Sequence, residues 1–133
     1  MTGGDAMTDE FRKQGAFSWF ELSTTDVRAA EAFYTRLFGW TTEPWTGEES
    51  YRLIKVDGKE VGGIVQTRAD ESSRPMGWGI YVTVTDVDAT ARKASELGGK
   101  LLVRPTDIPR VGRFCVIQDP QGGVITAITY ARG

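Results

Sequence analysis

The chain is written twice. Asp26-Val27-Arg28-Ala29, followed by Leu37-Phe38-Gly39, recurs as Asp86-Val87-Asp88-Ala89, followed by Leu97-Gly98-Gly99, in the same register. A β-type run precedes each copy, Trp19-Phe20-Glu21-Leu22 and then Ile80-Tyr81-Val82-Thr83-Val84. Further strand-like segments follow each, with an aspartate-led hairpin turn at Asp57-Gly58 or Asp119-Pro120-Gln121-Gly122. A repeat of this length denotes two copies of one supersecondary unit, neither able to bury its apolar face alone.

Phe17 to Ser23 reads as a strand that turns Phe20 and Leu22 toward a helix. Thr25-Asp26 supplies that helix with an N-cap, because a short side-chain oxygen accepts an orphan amide hydrogen of the first turn. Val27, Ala30, Phe33 or Tyr34, and Leu37 fall at helical spacing, and Gly39 stops the helix in a left-handed conformation. Tyr51 to Val56 and Val61 to Gln66 are β-rich around the Asp57-Gly58 turn, and Thr67 to Gly77 is the link between copies.

In the second copy Trp78 to Val84 is a strand, Asp86 caps, and Val87, Ala91, Ala94 and Leu97 form the helix stripe. Lys100 to Val103 is a strand, Pro105-Thr106-Asp107-Ile108-Pro109 a rigid loop, and Phe114 to Gln118 pairs with Val124 to Tyr130. The order β-α-β-β-β, twice, predicts an α+β fold. Two tandem modules, about 17–66 and 78–130, are expected to form a curved mixed sheet around a cleft. They make one domain over 16–133 behind a polar, glycine-containing lead-in at 1–15, expected to be flexible, in which Met7 is an alternative start.

A chain of 133 residues is long enough for a real core, and its net charge of −2 leaves no basic stripe for nucleic acid. No apolar run approaches the ~20 residues that span a bilayer, and the N-terminus lacks a signal-type apolar centre. The single cysteine, Cys115, lies among apolar residues and reads as a buried, inert thiol. A cytoplasmic protein is expected, with a small-molecule ligand and neither nucleic acid nor membrane as partner. There is no histidine, so Ser-His and Cys-His nucleophile pairs are impossible.

The residues that carry the plan also carry a family pattern. Glu21 to Asp26, Ala30, Phe33-Tyr34 and Leu37-Phe38-Gly39-Trp40 resemble the first module of the vicinal oxygen chelate superfamily. Val84 to Ala89, Leu97-Gly98-Gly99, Gly112-Arg113-Phe114 and Asp119-Pro120-Gln121-Gly122 resemble its second. That superfamily holds glyoxalase I, bleomycin-resistance proteins and extradiol dioxygenases. The branch resembled is that of small glyoxalase-like or hydroxylase-named proteins, over roughly Phe17 to Tyr130. The resemblance implies the glyoxalase/bleomycin-resistance fold and says little about reaction, since one scaffold hosts many chemistries.

The resemblance also implies four cleft-facing metal-ligand positions, filled by His, Glu or Gln in members that use a metal. Seven residues before each helix-opening aspartate stand Trp19 and Gly79. Four residues after the last turn glycine stands Thr126, and Gln66 is the candidate on the last strand of the first module. Indole, glycine and threonine do not replace imidazole or carboxylate for Zn²⁺, Fe²⁺ or Ni²⁺. No metal and no cofactor are therefore expected, which removes glyoxalase I activity and extradiol cleavage. Glu21, Gln66 and Asp107 leave an atypical oxygen site conceivable, with nothing in their spacing that demands one.

Trp19, Glu21 and Ser23 alternate opposite Phe20 and Leu22, so they are expected to face the cleft, as are Gly79, Tyr81, Thr83, Val124, Thr126 and Ile128. The candidate ligand-binding set is Trp19, Gln66, Gly79, Tyr81, Arg113 and Thr126, with Glu21 as candidate catalytic acid or base. A carboxyl between Trp19 and Tyr81 would have its charged form desolvated, which poises it for proton transfer. The competing reading makes Glu21 structural, held by Arg113 or a backbone amide. Arg113 itself is either an anchor for an anionic ligand or a solvated surface arginine. Trp40, Trp45 and Trp78 read as core or dimer contacts.

Metal-independent binding of an apolar or aromatic small molecule, as in resistance by sequestration, is the expected function. The alternatives are a metal-free isomerase, cyclase or lyase that uses Glu21, and a degenerate structural or interaction protein. A homodimer is expected.

Overall fold

The computed structural model describes residues 9–46, 48–68 and 76–131. In chain order the elements are α1 (Asp9–Arg12), β1 (Phe17–Thr24), α2 (Val27–Phe38), β2 (Thr41–Trp45), β3 (Glu48–Val56), β4 (Lys59–Gln66), β5 (Gly77–Thr83), α3 (Val87–Glu96), β6 (Lys100–Ile108), β7 (Gly112–Gln118) and β8 (Val124–Tyr130). They fall into two compact units, Trp19–Trp78 and Gly79–Gly133, the second also taking in the described residues before Trp19. Each unit is a βαβββ module, so the fold class is α+β, as the repeat predicts.

In the first unit the strand order is β2-β3-β4-β1. β1 runs parallel to β4 with Leu22 opposite Ile64, and the other pairings are antiparallel. α2 begins where Asp26 Oδ1 accepts the Ala29 amide at 3.0 Å, and it ends at Gly39, whose φ of 75° is the left-handed value a glycine takes most readily. Leu22, Val27, Ile54 and Ile64 are buried under this helix, with Ala30, Tyr34 and Trp40 packed against them. Each such aliphatic side chain contributes roughly 1.5–3 kcal/mol by leaving water.

Phe20 lies on the same side of β1 as Leu22 but is exposed, contrary to the expectation that both pack on the helix. Its strand partner is Gly62, which offers no side chain to pack on. β2 is the strand that the β-α-β-β-β plan requires after the first helix and that the sequence reading gave no residues. Thr-Thr-Glu-Pro-Trp lacks an apolar alternation because it forms the outermost strand of its unit, where proline and charge are tolerated.

The second unit repeats the design in the order β5-β8-β7-β6, with β5 parallel to β8. Asp86 Oδ1 accepts the Ala89 amide at 3.1 Å, and Val84, Val87, Ala91, Cys115 and Ala127 form the core, joined by Leu101 and Ile117. Cys115 is fully buried, and burial, helped by the charge of Asp88, pushes its thiol pKa up. The stretch Pro105 to Ile108, expected as loop, continues β6 instead. β6 is again outermost, and its register slips between Leu101 and Thr106, so the proline interrupts no inner ladder.

Part of the expected flexible lead-in is held. Gly15 donates its amide to the Thr83 carbonyl at 2.8 Å, Gln14 Oε1 accepts from the Thr85 amide at 2.8 Å, and the Thr83 hydroxyl donates to the Phe11 carbonyl at 2.5 Å. Among the described residues no helix is long and apolar enough to cross a membrane.

Candidate functional site

Successive residues of a strand point to opposite faces of the sheet. In β1, Leu22 turns to α2, so Trp19 and Glu21 turn to the helix-free face, where they are only 2% and 6% exposed. Tyr51 of β3 reaches across to both. The Trp19 indole N–H donates to the Tyr51 hydroxyl at 2.9 Å, and that hydroxyl donates to Glu21 Oε2 at 2.7 Å. Trp45 meets the Tyr51 ring edge-on, with centroids 5.9 Å apart and an interplanar angle of 61°.

Gly63 makes this arrangement possible. It stands opposite Glu21 on one side and Leu53 on the other, and a Cβ there would coincide with the Tyr51 phenol. Neither Tyr51 nor Gly63 was singled out from the sequence. The available signal was glycine inside a strand run, which often marks the close approach of another group.

The face of the second unit opposite α3 follows the expected alternation. Tyr81 stands opposite Thr126, and Thr83 opposite Ile128, while Ala127 of the same strand goes to the helix core. Phe114 and Val116 of β7 stand opposite Ile128 and Thr126. Tyr81, Phe114, Val116 and Ile128 are buried, whereas Gly79 and Thr126 are half-buried.

Two expected site residues are placed elsewhere. Gln66 shares the helix side of β4 with Ile64, and its amide serves the start of α2. Its Nε2 donates to the Thr25 carbonyl at 2.5 Å, and its Oε1 accepts from the Val27 amide at 3.2 Å. Arg113 lies on the helix side of β7. It donates twice to Asp88 of α3, at 3.0 Å each, and once to Asp107 of β6 at 3.0 Å. Hydrogen bonds from Arg113 hold Asp88 below the usual carboxylate range, and the two aspartates raise the guanidinium pKa in return. An arginine already held by two carboxylates is a poor anchor for an anionic ligand.

A family model described as the glyoxalase/bleomycin resistance protein/dioxygenase superfamily matches residues 16–126. The chain belongs to this superfamily. It is 38% identical over 119 residues to a Mycobacterium tuberculosis protein named "Putative glyoxylase CFP32", covering 88% of this chain and 45% of that one. It is 34% identical over 124 residues to the anthracycline biosynthesis protein DnrV of Streptomyces peucetius, covering 81% of this chain and 44% of that one. The chain thus spans less than half the length of these relatives. Among solved structures, Streptomyces coelicolor methylmalonyl-CoA epimerase bound to 2-nitronate-propionyl-CoA aligns with a TM-score of 0.59 at 19% identity, over 90% of this chain and 100% of that one. At that identity the likeness concerns the fold.

The donors present do not fit the superfamily's metal. Trp19 offers an N–H hydrogen to Tyr51 and no lone pair, and Gly79 offers no side chain. The register also reassigns the fourth position. Thr126 stands opposite Tyr81, and Glu21, equally far ahead of its own helix cap, stands opposite Gly63 rather than Gln66. Among the described residues, no three of His, Cys, Asp and Glu are grouped to hold an ion.

Proposed function

We propose that the helix-free face around Glu21 binds an apolar or aromatic small molecule without a metal ion, in a cytoplasmic homodimer that sequesters its ligand. The observation that supports this reading is the Trp19–Tyr51–Glu21 chain: aromatic rings around one buried carboxyl, with Trp19 at a position where the family resemblance implies a metal ligand. Such a surface suits planar ligands that a few polar groups orient. The Streptomyces relative's name points the same way, since anthracyclines are fused aromatic molecules.

A second reading, proton-transfer catalysis of an isomerase, cyclase or lyase type with Glu21 as acid or base, draws on the same geometry. Tyr51 gives the carboxyl a second proton-bearing partner in direct contact. One experiment separates the two. The protein is incubated with a library of aromatic metabolites, and both retained and converted molecules are read by mass spectrometry. Retention without conversion, weakened ~10-fold or more by Trp19→Ala, supports binding. A product whose formation falls ~10²–10⁴-fold in Glu21→Gln supports catalysis. If no aromatic molecule is retained or converted, both readings fail.

A further inference from the structure

The duplication supplies an internal control for surface composition. Asp26 set over Asp86 aligns α2 with α3, two helices capped in the same way on equivalent sheets. Phe33, Tyr34, Phe38 and Trp40 then stand where the second copy has Lys93, Ala94, Gly98 and Lys100. The second unit folds without aromatic rings at these positions, so the fold does not demand them. Phe33 and Phe38 are 59% and 58% exposed, and Trp78 is 45% exposed. The rings hold one another in place. Tyr34 stacks on Phe38 and Trp40, with centroids 6.1 and 5.7 Å apart, and meets Phe33 edge-on at 5.0 Å. Its hydroxyl accepts from Trp78 Nε1 at 3.2 Å. Rings already fixed lose little freedom on binding, and contiguous exposed apolar surface marks an interaction site.

We propose that the aromatic face of α2 with Trp78 seats a second copy of this chain, the same face on both partners. The inference rests on the homodimer of the proposed function and goes further in naming the surface, α2 rather than the outer strands β2 and β6. Charge and length select this occupant. Helices that lie on lipid are rich in lysine and arginine, whereas α2 carries Arg28 and Arg36 and no lysine. A net charge of −2 sets little repulsion between copies. The Mycobacterium and Streptomyces relatives, matched over 45% and 44% of their length, have room for a second domain of this size to lie against the first. A face that meets itself needs no complementary surface elsewhere on the chain, and the assembly closes at two.

The test is sedimentation equilibrium of the full chain across micromolar concentrations. The unaltered chain should sediment at twice the 14.6 kDa of one copy. Phe33→Glu with Phe38→Glu should raise the dissociation constant at least ~30-fold, because it sets charges in the middle of the apolar contact. Leu97→Glu, at the α3 position equivalent to Leu37 and 70% exposed, is the control. It should leave the constant within about twofold. If the double glutamate variant does not fold, Phe33→Ala with Phe38→Ala only trims exposed rings and should still weaken the dimer at least ~10-fold. A dimer that survives loss of both rings, or that Leu97→Glu weakens as much, overturns this inference and leaves the homodimer standing. A monomeric unaltered chain overturns both.

Discussion

At the scale of single residues, Glu21 and Gly63 show two kinds of legibility. The face of Glu21 follows from strand alternation alone, because Leu22 beside it is apolar and belongs under a helix. The partner of Glu21 does not follow. Tyr51 lies thirty positions away, and only the β1–β4–β3 register brings its hydroxyl to 2.7 Å. Gly63→Ala should cost ~1–3 kcal/mol by forcing the Tyr51 ring aside, measured as a lower urea midpoint at unchanged slope. The same alanine at Gly122, where φ is 101° but nothing lies within reach of a Cβ, should cost only the backbone strain of its turn. A Gly63→Ala protein no less stable than the Gly122 variant would show that Tyr51 does not occupy that space.

At the scale of elements, the start of α2 is secured twice. Asp26 accepts the Ala29 amide, and Gln66 reaches from β4 to the Val27 amide and the Thr25 carbonyl. Asp26→Ala should cost ~1 kcal/mol, and Gln66→Ala should add a comparable loss, both read by thermal melting. A ligand role for Gln66 would instead show as a change in ligand binding at constant stability.

The same helix is tied to the sheet by Glu31, which accepts from Arg52 at 2.6 Å and from the Thr42 hydroxyl at 2.5 Å. Partial burial pushes the Glu31 pKa up. The Thr42 and Arg52 hydrogen bonds, with the charges of Arg52 and Arg28, outweigh it and leave the pKa below the ordinary 4.5. Because the folded value is the lower one, this stabilisation is complete above about pH 4.5 and is lost as pH falls through the folded value. Denaturation from pH 7 to pH 3 should show that loss, and Glu31→Gln should remove it while costing about 1 kcal/mol at neutral pH. An unchanged pH profile in Glu31→Gln would place the acid sensitivity elsewhere.

At the scale of the whole molecule, absence of the superfamily's donors makes a direct prediction. Protein purified without chelator should contain well under one Zn, Fe or Ni per chain, and EDTA should leave the melting temperature where it was. One tightly bound ion per chain, lost to EDTA with a fall in melting temperature, would mean that other residues hold a metal. Self-association is the second prediction. Phe33, Leu37 and Phe38 of α2 are each more than half exposed, and Trp78, joined edge-on to Tyr34 and Trp40, is also exposed. Aromatic surface of this kind is characteristic of protein interfaces. Light scattering at micromolar concentration should return twice the 14.6 kDa of one chain, and a monomer would show that this surface serves another purpose.

The sequence alone determined the duplicated βαβββ plan, the helix caps at Asp26 and Asp86, the stop at Gly39 and the turn at Asp57-Gly58. Local chemistry sufficed for these, since capping oxygens, left-handed glycines and strand periodicity act within a few residues of themselves. The family pattern was legible for a related reason: it depends on which residues stand at fixed distances from the caps. Tertiary structure decided what required partners far apart in the chain. It turned Gln66 from the site to a helix end and held Arg113 between Asp88 and Asp107. It drew Pro105 into an outer strand and laid Tyr51 over Gly63. No local rule reports such pairings, because strand register and side-chain reach are set only when the sheet assembles.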